Sequence, residues 1–557
     1  MSKKNICFSL TIFSLGLLLF SCVKSEQADL VLQNGKIFTV DDSNPLVESV
    51  AVKAGKILSL GSNNRIKKLI GPKTLVLDAK GKFVQPGFID AHCHFVDGGK
   101  SLVSLTFRGV NSIEKVREMI AAKIKEISAG APVLGSEFDQ MLFPGGNWPA
   151  KEDLDMVSPN NPVVIQRIDG HSVWVNSLAL KFSGIDKNTK NPFGGEIRKD
   201  PKTGEPTGIL TEAATELVKI KGPDTPGSVE EDILRALSHA AKLGVTSIQT
   251  ASSLEEIGIY RKLNQEGKLT LRVYAWLPIE DMDTLIQQGI RQGQGNDMVK
   301  VGFLKCFIDG TLGSGTALLF ESFSDDPAKS GLPQYSENAF YQLIEKAHQH
   351  DFQVGIHAIG DKGINWVLNA IEKAQQKYGR KNLRHRIEHA SVIAPGDVPR
   401  FGTLGVIASV QPTFCTTDIS LCERRLGPER SKNAYLWKTL LDAGARLAFG
   451  TDWPVEPLDP MRGLYSAVTR KNIELGYPER GWFPEQILTM PEAIKCYTEG
   501  SVFASYEENS KGSLAVGKYA DMVILSRDLL ECEPAEILTT EVLSTILGGK
   551  VVYQKGI

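Results

Sequence analysis

Short apolar runs recur through the middle of this chain, and stretches of helical spacing separate them. Gly244 to Ile248, Leu271 to Trp276, Val301 to Ile308, Gln353 to Ala358, Arg384 to His389, Val406 to Val410 and Leu447 to Gly450 each have the length of one strand. One helix start between them is explicit. Ser228 and Glu231 form a capping box ahead of Ile233, Leu234, Leu237 and Ala241 at helical spacing. Alternation of this kind predicts βαβ units and a parallel sheet covered by helices. A chain of 557 residues exceeds one ordinary domain, so an α/β body with satellites is expected.

Chemistry sits where these runs end. Gln85-Pro86-Gly87-Phe88-Ile89-Asp90-Ala91-His92-Cys93-His94 closes an apolar run with two histidines at i and i+2. On a strand that spacing puts both imidazoles on one face, and two neutral imidazoles are ready ligands for zinc or a similar divalent metal. Cys93 has the opposite parity and reads as a packing residue. The rival reading is a pair of hydrogen-bonded core histidines. Residues far downstream weigh against it: His357 ends one run, His389 another, Asp452 follows a third, and Lys305 lies in a fourth.

With these residues in view, the chain resembles the amidohydrolase superfamily. Its closest likeness is the amidohydrolase-3 branch, which includes formamide-deformylase-like metal-dependent hydrolases. The resemblance covers nearly everything after residue 28. It implies a (β/α)8 TIM barrel, with the run entering His92 as its first strand. It also implies that His92, His94 and Asp452 form one metal position and that His357 and His389 form a second. In many relatives the lysine matching Lys305 is carbamylated and bridges two metals. Alternation places Val301, Phe303 and Lys305 on one side of an apolar strand. A buried charged lysine is costly there, which favours the modified form. The alternative is a salt bridge from Lys305 to Asp309. The aspartate matching Asp452 takes a proton from the attacking water and passes it to the leaving nitrogen, a general base and then a general acid. A divalent metal serves this chemistry because it lowers the pKa of a coordinated water from about 15.7 to roughly 7 and polarises the carbonyl.

His171 is a candidate substrate contact, with a structural role as the alternative. His385 shares strand parity with His389 but lies deeper, so it is read as structural, whereas His239, His348 and His350 lie on helices and read as surface or packing residues. Two departures from the branch pattern stand out. Phe414 replaces a frequent histidine in Gln-Pro-Thr-Phe-Cys-Thr-Thr-Asp, and Gly315 replaces a frequent arginine. Both are expected on strand-end loops lining the pocket, which makes a less polar or less anionic substrate the expectation.

Residues 29–84 read as short strands with turns at Asn34-Gly35, Ala54-Gly55 and Lys80-Gly81, and residues 506–557 share that texture. Neither piece is comfortable alone, so the two are expected to pair as one β-sandwich flanking a barrel over 85–505. The interval of about 97–227 is too long for a βα connection. It follows the first barrel strand, so it is read as an inserted cap over the active face.

Lys3 and Lys4 precede an apolar run from Ile6 to Phe20, which reads as a signal-peptide core over residues 1–21. Leu19-Phe20-Ser21-Cys22 resembles a bacterial lipoprotein box, although Phe20 stands where a small residue is usual. Cys22 would then carry acyl chains, residues 22–28 would be a linker, and the protein would be exported and lipid-anchored in the cell envelope. An uncleaved anchor helix is the alternative, and loss of acyl labelling in Cys22→Ala would decide between them. The six cysteines beyond Cys22 show neither a Cys-x-x-Cys pattern nor a disulfide framework. A net charge of −2 without long basic runs argues against a nucleic-acid partner.

The expected activity is metal-dependent hydrolysis of a non-peptide carbon–nitrogen bond in a small amide, N-formyl or N-acyl amine, or cyclic amide. Zinc is the expected ion, one or two per chain. A mononuclear deaminase on the same barrel and a non-catalytic envelope binding lipoprotein are the alternatives.

Overall fold

The computed structural model describes residues 27–220 and 228–555, so Cys22 and the expected signal segment lie outside the described residues. Eight parallel strands form one sheet: β1 (Phe88–Cys93), β2 (Val245–Ala251), β3 (Arg272–Pro278), β4 (Val299–Phe307), β5 (Val354–Ala358), β6 (Arg386–His389), β7 (Ile407–Val410) and β8 (Arg446–Phe449). Their order in space is their order in the chain. Most of their residues are buried, as expected when side chains fill the barrel and helices cover its outside. The seam between β8 and β1 closes beyond the ladder. Asp452 N–H donates to the His92 carbonyl at 2.7 Å, and His94 N–H donates to the Trp453 carbonyl at 2.7 Å. The Asp90 carboxylate spans the same seam, accepting Thr451 N–H at 3.1 Å and Thr451 Oγ1 at 2.5 Å. The result is a (β/α)8 barrel, as the resemblance implied.

Two expectations from local pattern need correction. The register of β4 against β3 shifts between Val301 and Leu304, so one extra residue enters β4. Val301 therefore packs in the outer core under the helices, while Phe303 packs inside with Tyr274 and Trp276. Strict alternation had placed Val301 and Phe303 together. In the helix Val229–Lys242, Ser228 Oγ accepts from Glu231 N–H at 3.4 Å, but the return bond that would complete a capping box is not formed.

The two ends of the chain meet. Phe83–Pro86 lies antiparallel beside Met522–Leu525 in a six-stranded sheet. A four-stranded sheet from the first part of the chain faces it, and Leu32, Val50, Val84, Met522 and Ile546 share one core. The long segment after β1 builds another six-stranded sheet, running from Leu105–Thr106 to Gly195–Lys199 at its edges. The helix Ile113–Ile124 packs on it through Val116 and Ile120, beside Phe107, Ile165 and Trp174.

Beneath β6, His385 and His348 form a buried imidazole pair, with Nε2 of one 3.0 Å from Nδ1 of the other. Val354 N–H donates to His385 Nδ1 at 3.2 Å, and His348 Nε2–H donates to the Gly379 carbonyl at 3.1 Å. One shared proton satisfies both rings, and a second would set two N–H groups against each other. Burial pushes His385 down to about 3 from the ordinary 6.5. A histidine lowered in the folded state stabilises the fold above pH 6.5, and that contribution is lost as pH falls from 6.5 toward 3. The unfolding midpoint is therefore expected to drop between pH 6.5 and 5, and to drop less steeply in His385→Gln. Equal slopes in the two proteins would remove His385 from the acid response.

Candidate metal centre

Parallel strands in a closed barrel bring their C-terminal ends to one rim, where loops converge. His92 at the end of β1, His94 just beyond it, Lys305 of β4, His357 of β5, His389 of β6 and Asp452 after β8 all line one cavity of about 790 Å³ there. His171, from the inserted sheet, lines it too. Two of these residues hold strained backbone: φ is 71° at His389 and 58° at Asp452. A non-glycine residue in this region costs about 1–3 kcal/mol, a cost that clusters at functional sites.

His92, His389 and Asp452 offer ligand atoms that all lie within 4.8 Å of one another. Asp452 Oδ1 is 3.4 Å from His92 Nε2 and 3.2 Å from His94 Nε2. The His357 ring lies 4.5 Å from the His389 ring, centre to centre, which puts it beside this group.

The tautomers are set from behind. Glu388 Oε2 accepts from His92 Nδ1 at 2.6 Å, which leaves Nε2 as a lone pair facing the cavity. Gln411 Oε1 accepts from His389 Nδ1 at 2.7 Å, and the Gly310 carbonyl accepts from His357 Nε2 at 3.1 Å. Burial lowers the pKa of all three rings and pushes His389 down to about 3, which favours the neutral form that ligates metals. Burial opposes ionisation of Asp452, but His94, His92 and His389 outweigh it and hold the carboxyl below its usual range. A lone pair on His92 Nε2 thus faces a carboxylate oxygen that is buried without any hydrogen-bond partner. Two acceptors cannot satisfy each other. A divalent cation satisfies both, and the imidazole–carboxylate donor set suits one.

Lys305 is buried, and burial lowers its ammonium to about 8. Nζ lies 3.3 Å from His92 Nε2 and over the rings of Trp276 and Phe307, at 5.0 and 4.6 Å. The alternative pairing with Asp309 does not occur. Asp309 instead accepts backbone N–H groups from Leu318, Ile359 and Gly360.

His171 stands 4.8 Å from His357, ring to ring, and its Nδ1 is 2.8 Å from Glu212 Oε2. Burial opposes its charge, but Glu212 and Asp169 raise it to about 9. Phe414 and Gly315 are not on the cavity wall, contrary to expectation. Phe414 stacks behind the His389 ring at 5.8 Å and 10°, and Gly315 turns with φ 73° beside Arg425.

Sequence reasoning missed Glu388, Gln411, Glu212 and Trp276. Glu388 had a readable signal, since Arg386 and Glu388 at i and i+2 in an apolar strand are two charges that require burial as a pair. In the structure Arg386 Nε lies 2.7 Å from Glu388 Oε1.

The amidohydrolase family matches residues 75–553. The chain is 35% identical to LONG AFTER FAR-RED 3 of Arabidopsis thaliana, over 94% of this chain and 92% of that protein. It is 27% identical to the N-substituted formamide deformylase of Arthrobacter pascens, over 95% and 99% of the two chains. An uncharacterised metal-dependent hydrolase from Pyrococcus horikoshii superposes with a TM-score of 0.71 at 32% identity, covering 91% of this chain and 99% of that one.

Proposed function

The chain belongs to the amidohydrolase family, and from that premise we propose that this metal-dependent hydrolase cleaves a carbon–nitrogen bond outside peptides. The substrate is an amide, an N-formyl or N-acyl amine, or a cyclic amide. One observation carries the reading: the buried, unpartnered Asp452 Oδ1 faces Nε2 of both His92 and His94. The formamide-deformylase relative supports N-formyl amines as the first class to test.

His92, His94 and Asp452 would hold one divalent ion, and His357 and His389 a second. A bound divalent ion supplies Lewis acidity toward a carbonyl and makes water a better nucleophile at neutral pH. Asp452 accepts a proton from the attacking water as the new C–O bond forms, then delivers it to nitrogen as the C–N bond breaks. His171, oriented by Glu212, contacts the substrate near the carbonyl. Lys305 has no carboxylate to pair with among the described residues, which supports its carbamylation: Nζ adds to carbon dioxide, loses a proton and becomes an anion. An unmodified Lys305 in the native mass spectrum, beside a single metal, would exclude that role.

The test is metal analysis of the purified protein with a screen of formyl and acyl amides. The expected result is one or two divalent ions per chain, zinc foremost, and amine release that a chelator abolishes. Ammonia release from an aromatic heterocycle would point instead to a deaminase. Metal-free protein with no hydrolysis at all would point to a binding role.

A further inference from the structure

The main chain around Asp452 is held from two sides. On the barrel side, Asp452 N–H reaches the His92 carbonyl and His94 N–H reaches the Trp453 carbonyl, each at 2.7 Å. Val455 N–H closes a turn onto the Asp452 carbonyl at 2.8 Å. The next two carbonyls, of Pro454 and Val455, receive no backbone N–H. Both accept from Arg108 Nη2, each at 2.7 Å, and among the described residues no other group donates to either.

Arg108 belongs to the inserted segment, just beyond its edge strand Leu105–Thr106. Glu137, from the neighbouring strand Val133–Phe138, fixes the guanidinium. Its Oε1 accepts from the same Nη2 at 2.9 Å, and its Oε2 accepts from Thr106 Oγ1. Glu137 sits at φ 68°, as Asp452 sits at 58°. A non-glycine residue stays in that region only where its surroundings over-determine it. At Asp452 the barrel supplies one part of that restraint and Arg108 another. Glu137, Pro454 and Val455 line the cavity with Asp452, whereas Arg108 is not on its wall. The guanidinium therefore reaches the chemistry only through the turn.

Resting on the carbon–nitrogen hydrolase reading, we propose that Arg108 is a positioning residue: it ties the inserted sheet to the Asp452–Val455 turn and sets where the Asp452 carboxylate stands. Docking of that sheet and alignment of the proton carrier then become one event.

Arg108→Met keeps the stem and removes every donor. It should lower kcat about 10- to 100-fold, the cost of misplacing a reacting group by about an ångström, with little change in KM. Hydrogen exchange on the purified protein gives a readout independent of catalysis. The amides of Asp452 and Val455 should exchange faster in Arg108→Met, while those of the inserted strand Val163–Arg167 keep their rates, which separates a loosened turn from an unfolded insert. Arg108→Lys keeps a charged donor and should fall between wild type and Arg108→Met in both readouts, and the opposite order would overturn the proposal. Unchanged exchange at Asp452 and Val455 would overturn it whatever kcat does, and so would faster exchange with kcat at the wild-type level. If the wild-type protein cleaves no amide, the hydrolase reading fails, and the exchange comparison alone decides whether Arg108 holds the turn.

Discussion

Asp452→Asn is expected to lower kcat by about 10² to 10⁴, the range over which a positioned proton carrier contributes. The side chain keeps its shape, so the backbone bond from Asp452 N–H to the His92 carbonyl and the barrel seam should survive. What changes is charge and basicity. The amide cannot take a proton from water, and it brings only a neutral oxygen toward His92 and His94 Nε2. Metal analysis separates the two roles of Asp452. If the variant keeps its metal and loses kcat with little change in KM, the proton-carrying role stands. If metal content falls in proportion to kcat, Asp452 acts only as a ligand. Turnover within a few-fold of wild type with metal retained would remove Asp452 from the chemistry.

Glu388→Gln should weaken divalent-metal affinity by about 10- to 100-fold, because a partner that orients a ligating imidazole is worth that much. Burial opposes ionisation of Glu388, yet Arg386 and His92 hold its carboxyl well below the usual range. The anion therefore fixes the His92 proton on Nδ1 and leaves Nε2 for the cation. Glutamine can still accept that hydrogen bond, but without charge. Glu388→Ala should do more, leaving the Arg386 guanidinium buried without its counter-charge at a cost of about 3–5 kcal/mol. Arg386 retains bonds to the Ala91 carbonyl at 2.8 Å and Ser409 Oγ at 2.7 Å, which soften that loss without neutralising the charge. Chelator competition reads the first effect, and thermal unfolding of metal-free protein reads the second. Unchanged metal affinity in Glu388→Gln would show that the His92 tautomer needs no anion behind it.

Much of the fold was legible because barrel strands are short, apolar and bounded by turns. The run expected at Gln353 to Ala358 is Val354–Ala358, and that expected at Val406 to Val410 is Ile407–Val410. The count of eight came from family resemblance, since periodicity cannot tell a barrel strand from any other buried strand. The extra residue in β4 carried no such mark. Gly302 tolerates the irregularity because its missing side chain makes room for the Tyr274 ring, which lies 2.9 Å from where a Cβ would be. The site residues were legible as types at strand ends, but their surroundings were not. Phe414 looked like pocket lining and instead backs a ligand ring, because the helix Pro412–Thr417 turns it behind His389. Asp309 looked like a partner for Lys305, but three backbone N–H groups from distant loops occupy it.

The order of residues by itself determined which side chains end the strands, and so which chemistries this chain can offer. Strand geometry then carried His92, His357 and the rest to one end of a parallel sheet, whatever their separation in the chain. Only the tertiary structure decided which lone pairs meet, which proton each imidazole keeps and which carboxylate is left without a donor. Those outcomes depend on ångström-scale distances between groups up to hundreds of residues apart, such as His92 and Glu388 at 2.6 Å. Closure of the barrel sets those distances, and no local pattern encodes them.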